Sequence, residues 1–93
     1  MTDPINDAVE VLLGMAYETR LRIMMMLVDG DRTPSDLAAA LALDATLVAH
    51  HLRHLLTARL VRRKRRGRHV FYGIDGAAAR LVAEIIRYVR PGP

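Results

Sequence analysis

Two helix-start signals stand close together in the middle of this 93-residue chain, and they restrict its fold more than any other feature. Thr33-Pro34-Ser35-Asp36 supplies a capping hydroxyl, a proline suited to the first helical position and an acid in the first turn. Asp44 supplies the second signal, ahead of a segment in which Val48, His51, Leu52 and Leu55 fall at i, i+3, i+4 and i+7. The spacing predicts a short helix with Leu37 and Leu41 inward, a tight connection at Ala42 and Leu43, and a second helix over about 45–58. Two helices joined by so short a turn form a helix-turn-helix. The stripe from Val48 to Leu55 must pack inward. Thr46, Ala49, His50, Arg53 and Thr57 are then left on an opposite polar strip whose shape suits a major groove.

The flanking segments complete one domain, residues 1–93, with no linker or internal repeat. Asp3-Pro4 opens a short helix with Val9, Leu12 and Leu13 on one stripe, ending near Gly14. A second helix runs from about Tyr17 to Val28, with Leu21, Met24, Met25, Leu27 and Val28 at helical spacing, and Asp29-Gly30 stops it. The run Met24-Met25-Met26 reads as adaptable core filling rather than as a thioether metal site. Beyond the helix-turn-helix, Leu60 and Val61 enter the core and Gly67 permits a hairpin reversal between arginines. Val70, Tyr72 and Ile74 then alternate with His69, Phe71 and Gly73, as in a strand with one buried face. This hairpin, about 60–74, is the expected wing. Asp75-Gly76 starts a last helix from 77 to about 90, closed by Pro91. Its stripe of Leu81, Val82, Ile85, Ile86 and Val89 is wider than a small core requires. The fold class is mostly α with a β-hairpin, a winged helix-turn-helix of order α-α-α-α-β-β-α.

Charge is segregated along the chain. Residues 45–74 hold eight Lys or Arg and no acid, a balance of +8, while the rest of the chain holds six basic and ten acidic residues, a balance of −4. A positive field gathered on one surface has a polyanion as its natural partner. The expected partner is double-stranded DNA, met by Thr46, Ala49, His50 and Arg53 on the second helix and by Arg63, Lys64, Arg65, Arg66 and Arg68 on the wing.

Other classes find less support. No Ser-His-Asp or Cys-His set, glycine-rich phosphate loop or carboxylate cluster beside the histidines is present, so the chain does not read as an enzyme. Cysteine is absent, which removes disulfides and thiolate metal sites together. His50 and His54 lie one helical turn apart, but two imidazoles without a nearby carboxylate make an incomplete metal site. His51, on the packed stripe, reads as a hydrogen-bonded structural histidine. No apolar run is long enough for export or membrane insertion, so a cytoplasmic protein with no membrane partner is expected. A chain this small without disulfides is expected to gain support from oligomerisation.

These residues resemble the ArsR/SmtB family of bacterial winged-helix repressors over about Val11 to Tyr88. The resemblance rests on Thr19-Arg20-Leu21, Asp36-Leu37-Ala38, His51-Leu52, Leu60-Val61, and Gly67-Arg68 leading to Tyr72. It implies a homodimer paired through first and last helices, binding an inverted-repeat operator and releasing it on an inducing signal. This chain departs from the family at its sensor sites. Where thiolate sensors have Cys-x-Cys, Thr33 and Ser35 stand here, and hydroxyls hold soft metals poorly. At the family's other common site Asp75 is kept, but its partner positions are Ala77, Tyr88 and Pro91. Arg59 stands where the family usually has glycine, and Ala49 where it often has a serine facing DNA. No cofactor or metal is expected. Two alternatives stay open: a sensor with atypical ligands, drawing on Asp75, Glu84 and a histidine, or a DNA-binding subunit whose signal is sensed by a separate partner protein.

Overall fold

A computed structural model describes residues 3–90, so the expected helix stop at Pro91 lies outside the described residues. Seven elements follow in the expected order: α1 Pro4–Met15, α2 Glu18–Val28, α3 Pro34–Leu41, α4 Ala45–Thr57, β1 Val61–Arg66, β2 His69–Ile74 and α5 Gly76–Val89.

The start signals work as the sequence suggests. Asp3 accepts from the Ile5 amide at 2.9 Å, and Asp44 accepts from the Thr46 amide at 2.7 Å. Thr33 and Asp36 close a reciprocal capping box, each side chain taking the other's backbone N–H. Ala42 ends α3 in the left-handed conformation with φ 55°, which turns the chain at once into α4.

The core lies among α2, α3, α4 and α5, with Met15 of α1 buried against it. Ile23, Met24 and Leu27 of α2 meet Leu37 of α3 and Val48, Leu52 and Leu55 of α4, with Leu60, Val61, Ala78 and Val82 closing it. Methionine fills core space as expected: Met24 is fully buried, while Met25 is exposed. The inward face of α2 is therefore Arg20, Ile23, Met24 and Leu27. Met25 and Val28, expected on the buried stripe, lie outside it.

The hairpin pairs Val61 with Ile74 through to Arg66 with His69. Arg32 adds a third edge, exchanging both backbone hydrogen bonds with Tyr72 at 2.7 and 3.0 Å. This changes the expected alternation in β2. Gly73 is buried because Asp31, carried by the same edge segment, covers it, and Phe71 is half-buried with the Arg66 guanidinium over its ring. A Cβ on Gly73 would come within 2.5 Å of an Asp31 carboxylate oxygen, so glycine is needed for that close approach.

The apolar stripes of α1 and α5 are far from satisfied within one chain. Ile5, Leu12 and Leu13 on α1 and Leu81, Tyr88 and Val89 on α5 are each at least half exposed. Among the described residues no helix is long and apolar enough to cross a membrane.

Candidate nucleic-acid interface

The helix that carries the candidate readout strip is anchored from beneath. Val48, Leu52 and Leu55 are buried, and so is His51, whose Nδ1 accepts a hydrogen bond from Nε of Arg20 at 3.1 Å. Arg20 is itself 4% exposed. It also donates to the Gly14 carbonyl at 3.3 Å, and its guanidinium lies 4.2 Å from the centroid of the Tyr17 ring. One buried side chain thus ties α1, α2 and α4 together. Gly14 lets α1 approach α4 closely, since a Cβ there would stand 2.7 Å from that of Ala58.

Thr46, Ala49, His50, Arg53 and Thr57 all lie exposed on the far side of α4. The Thr57 hydroxyl donates to the Arg53 carbonyl at 3.0 Å, which leaves the Arg53 guanidinium unengaged by that contact. His50 packs edge-on against His54 with ring centroids 4.7 Å apart, and against His51 at 5.4 Å. Burial, then the Arg20 charge and the neighbouring histidines, hold the His51 pKa below the ordinary imidazole value. Desolvation, with Arg20, His50 and Arg53 nearby, lowers that of His54 as well.

The wing has two unlike faces, because side chains alternate along each strand. On one, Lys64 and Arg66 reach the same Asp31 carboxylate oxygen at 3.2 and 3.0 Å. Arg62 pairs with Asp75 at 2.7 Å, and Arg66 also lies 5.2 Å from the centroid of the Phe71 ring. On the other, Arg63 and Arg65 stand in register with Tyr72 and Val70 and border an open recess with Val70. Among the described residues no carboxylate lies within ion-pair distance of Arg53, Arg63, Arg65 or Arg68. The nine candidate residues therefore divide: two wing cations are held by Asp31, while four arginines are unpaired.

Arg59, at the joint between α4 and β1, has φ 60°. The left-handed backbone that glycine would adopt freely is kept here by a β-carbon-bearing residue.

The positions tied to metal sensing have structural duties. Thr33 is a helix cap. Asp75 caps α5 through the Ala77 amide at 2.9 Å, and that bond, with the Arg62 charge, lowers its pKa despite an opposing effect of burial. Among the described residues no three His, Cys, Asp or Glu side chains gather closely enough to hold a metal ion.

Three contributors escaped the sequence reading. Arg20 entered it only as part of the Thr19-Arg20-Leu21 motif, and Asp31 and Arg32 were given no role.

The bacterial regulatory protein model of the arsR family matches residues 17–63, from the start of α2 into the wing. The chain belongs to the arsR family. A transcriptional repressor SmtB homolog of Synechocystis is 33% identical to it over 89 residues, 95% of this chain and 67% of that protein. The HTH-type transcriptional regulator KmtR of Mycobacterium tuberculosis is 34% identical over 83 residues, 84% of this chain and 64% of that one. The arsR-family chain thus spans about two thirds of the length of each. Among solved structures, the homodimeric winged helix-turn-helix DNA-binding domain of Mb0332 from Mycobacterium bovis superimposes with a TM-score of 0.89 at 25% identity, covering 97% of this chain and 88% of that domain. The arsR-family assignment and the winged helix-turn-helix fold thus agree with each other.

Proposed function

We propose that this chain is a homodimeric, sequence-specific DNA-binding transcriptional repressor of the cytoplasm, acting on an inverted-repeat operator. The carrying observation is the exposed strip of α4, backed by the buried Arg20–His51 bond and followed directly by a wing with unpaired arginines. Thr46, Ala49, His50 and Arg53 contact base edges and nearby phosphates. Arg63, Arg65 and Arg68 bind the phosphate backbone or minor groove, and Lys64 and Arg66 join them as they exchange Asp31 for phosphate. The exposed apolar stripes of α1 and α5 form the two-fold seam, which sets two recognition helices about one helical turn apart. The repressor named among the relatives and the homodimeric domain of Mycobacterium bovis support this reading.

The regulating signal is a separate matter. Thr33 and Asp75 are occupied as caps, which favours a signal received at other groups of this chain or by a separate sensor protein. Selection of genomic fragments with purified protein, with and without added divalent metals, tests the function. A short inverted repeat enriched without metal is the expected result. No enrichment over random duplex in either arm would overturn it.

A further inference from the structure

The guanidinium of Arg20 is a buried charge without a charged counterpart. Among the described residues no carboxylate lies within 4.0 Å of it. Its two hydrogen bonds go to neutral acceptors, the His51 imidazole and the Gly14 carbonyl. A guanidinium has five N–H donors, so the larger part of its hydrogen-bonding capacity is unused. Nη2 makes no hydrogen bond to the described residues, and no buried side-chain nitrogen or oxygen among them lacks a partner, so Nη2 is not sealed in the core. Arg20 lines a cavity of about 530 Å³ between α1, the α1–α2 turn and the last turn of α4.

The chemistry of that recess selects its occupant. A cation removed from water is costly unless an anion meets it with good geometry, and a carboxylate fits a guanidinium fork in two parallel hydrogen bonds. Ala16, Tyr17 and Ala58 give the remaining wall an apolar character beside His54 and Thr57, and Leu13 lines it from the α1 stripe that the proposed two-fold seam also uses, so the recess borders that seam. The volume falls in the range of small-molecule sites. We propose that this recess binds a small organic carboxylate, with its head group on Arg20 and its apolar body against Leu13, Ala16 and Ala58. The occupant would touch the last turn of α4 directly, at His54 and Thr57, and reach its middle through the Arg20–His51 bond.

Glu10, also on the wall, is the competing counter-ion. Amide-resolved NMR titration of the full chain, without DNA, decides between the two, and its outcome is independent of the DNA-binding reading. The probes are benzoate, its neutral isostere benzamide, and inorganic phosphate, which lacks an apolar body. Benzoate is expected to saturate, to shift the amides of Leu13, Ala16, Arg20 and Ala58, and to bind at least about tenfold more tightly than either control. Arg20→Met and, as a variant that leaves the buried charge in place, Ala16→Leu are each expected to weaken benzoate about tenfold. Equal affinity for all three probes, shifts confined to the wing arginines, or benzoate binding unchanged in Ala16→Leu would overturn the proposal. So would absence of saturation combined with a lower Tm in Glu10→Gln, which would assign the counter-ion to Glu10.

Discussion

Nε of Arg20 stands 3.1 Å from Nδ1 of His51, joining the start of α2 to the middle of α4. The bond requires Nδ1 to be an acceptor, so the imidazole is neutral and carries its proton on Nε2. Burial and the adjacent Arg20 charge press the same way, holding the His51 pKa below the ordinary value of 6.5. The unfolded chain then takes up a proton more readily than the folded one. Stability is full above the unfolded value and is lost as pH falls through the lowered folded one. The Tm is expected to drop between roughly pH 7.5 and pH 5.5. His51→Gln keeps an acceptor for Arg20 without a titrating ring, so its Tm should fall less over the same interval. His54 shifts in the same direction, so the slope is reduced and not abolished. A slope unchanged in His51→Gln would remove the bond from this role.

Arg59 holds φ 60° with a side chain in place. Relief of that strain in Arg59→Gly is expected to stabilise the fold by about 1 kcal/mol, or about 5 °C in Tm. Arg59→Lys, which keeps the Cβ, should show no such gain. Thermal unfolding of the three proteins checks this.

Asp31 restrains Lys64 and Arg66 together. These are surface ion pairs, so Asp31→Asn is expected to change stability by no more than about 1 kcal/mol. Its larger effect is on DNA: both cations become free, low-salt affinity rises and the dependence on salt steepens. For the same reason Arg65→Ala should weaken binding to every duplex more than Arg66→Ala does. Fluorescence anisotropy on one operator and one random duplex distinguishes these outcomes, and an Asp31→Asn protein with unchanged salt dependence would contradict them.

Much of this architecture is legible in the chain itself. The helix starts at Asp3, Thr33, Asp44 and Asp75 are local chemistry, readable because cap and first turn are neighbours in sequence. The division of α4 into a buried Val48-His51-Leu52-Leu55 stripe and an exposed Thr46-to-Thr57 strip follows from period alone. The residues that escaped notice act across long intervals. Arg20 meets His51 over 31 positions, and Asp31 meets Lys64 and Arg66 over 33 and 35. A buried arginine also runs against the rule that charge faces water, so residue type alone gives no sign of Arg20's place. Strand alternation failed at Gly73 because a neighbouring loop side chain covers it, which strand period does not record.

In the proposed complex α4 and the wing form a cationic surface for duplex DNA, with Arg53 reading bases while the unpaired wing arginines grip phosphate. Four arginines per chain, Arg53, Arg63, Arg65 and Arg68, have no carboxylate within ion-pair distance among the described residues. With Arg63, Arg65 and Arg68 fully engaged and Lys64 and Arg66 sharing their charge with Asp31, each chain should neutralise about four phosphates and a dimer about eight, for a log-affinity against log-salt slope of about −7. Anisotropy across a salt series on the selected operator measures that slope directly. A value near it is expected, flattened for every sequence by Arg65→Ala, with a changed base preference in Arg53→Ala. Affinity indifferent to salt, with Arg53→Ala weakening all sequences alike, would contradict it.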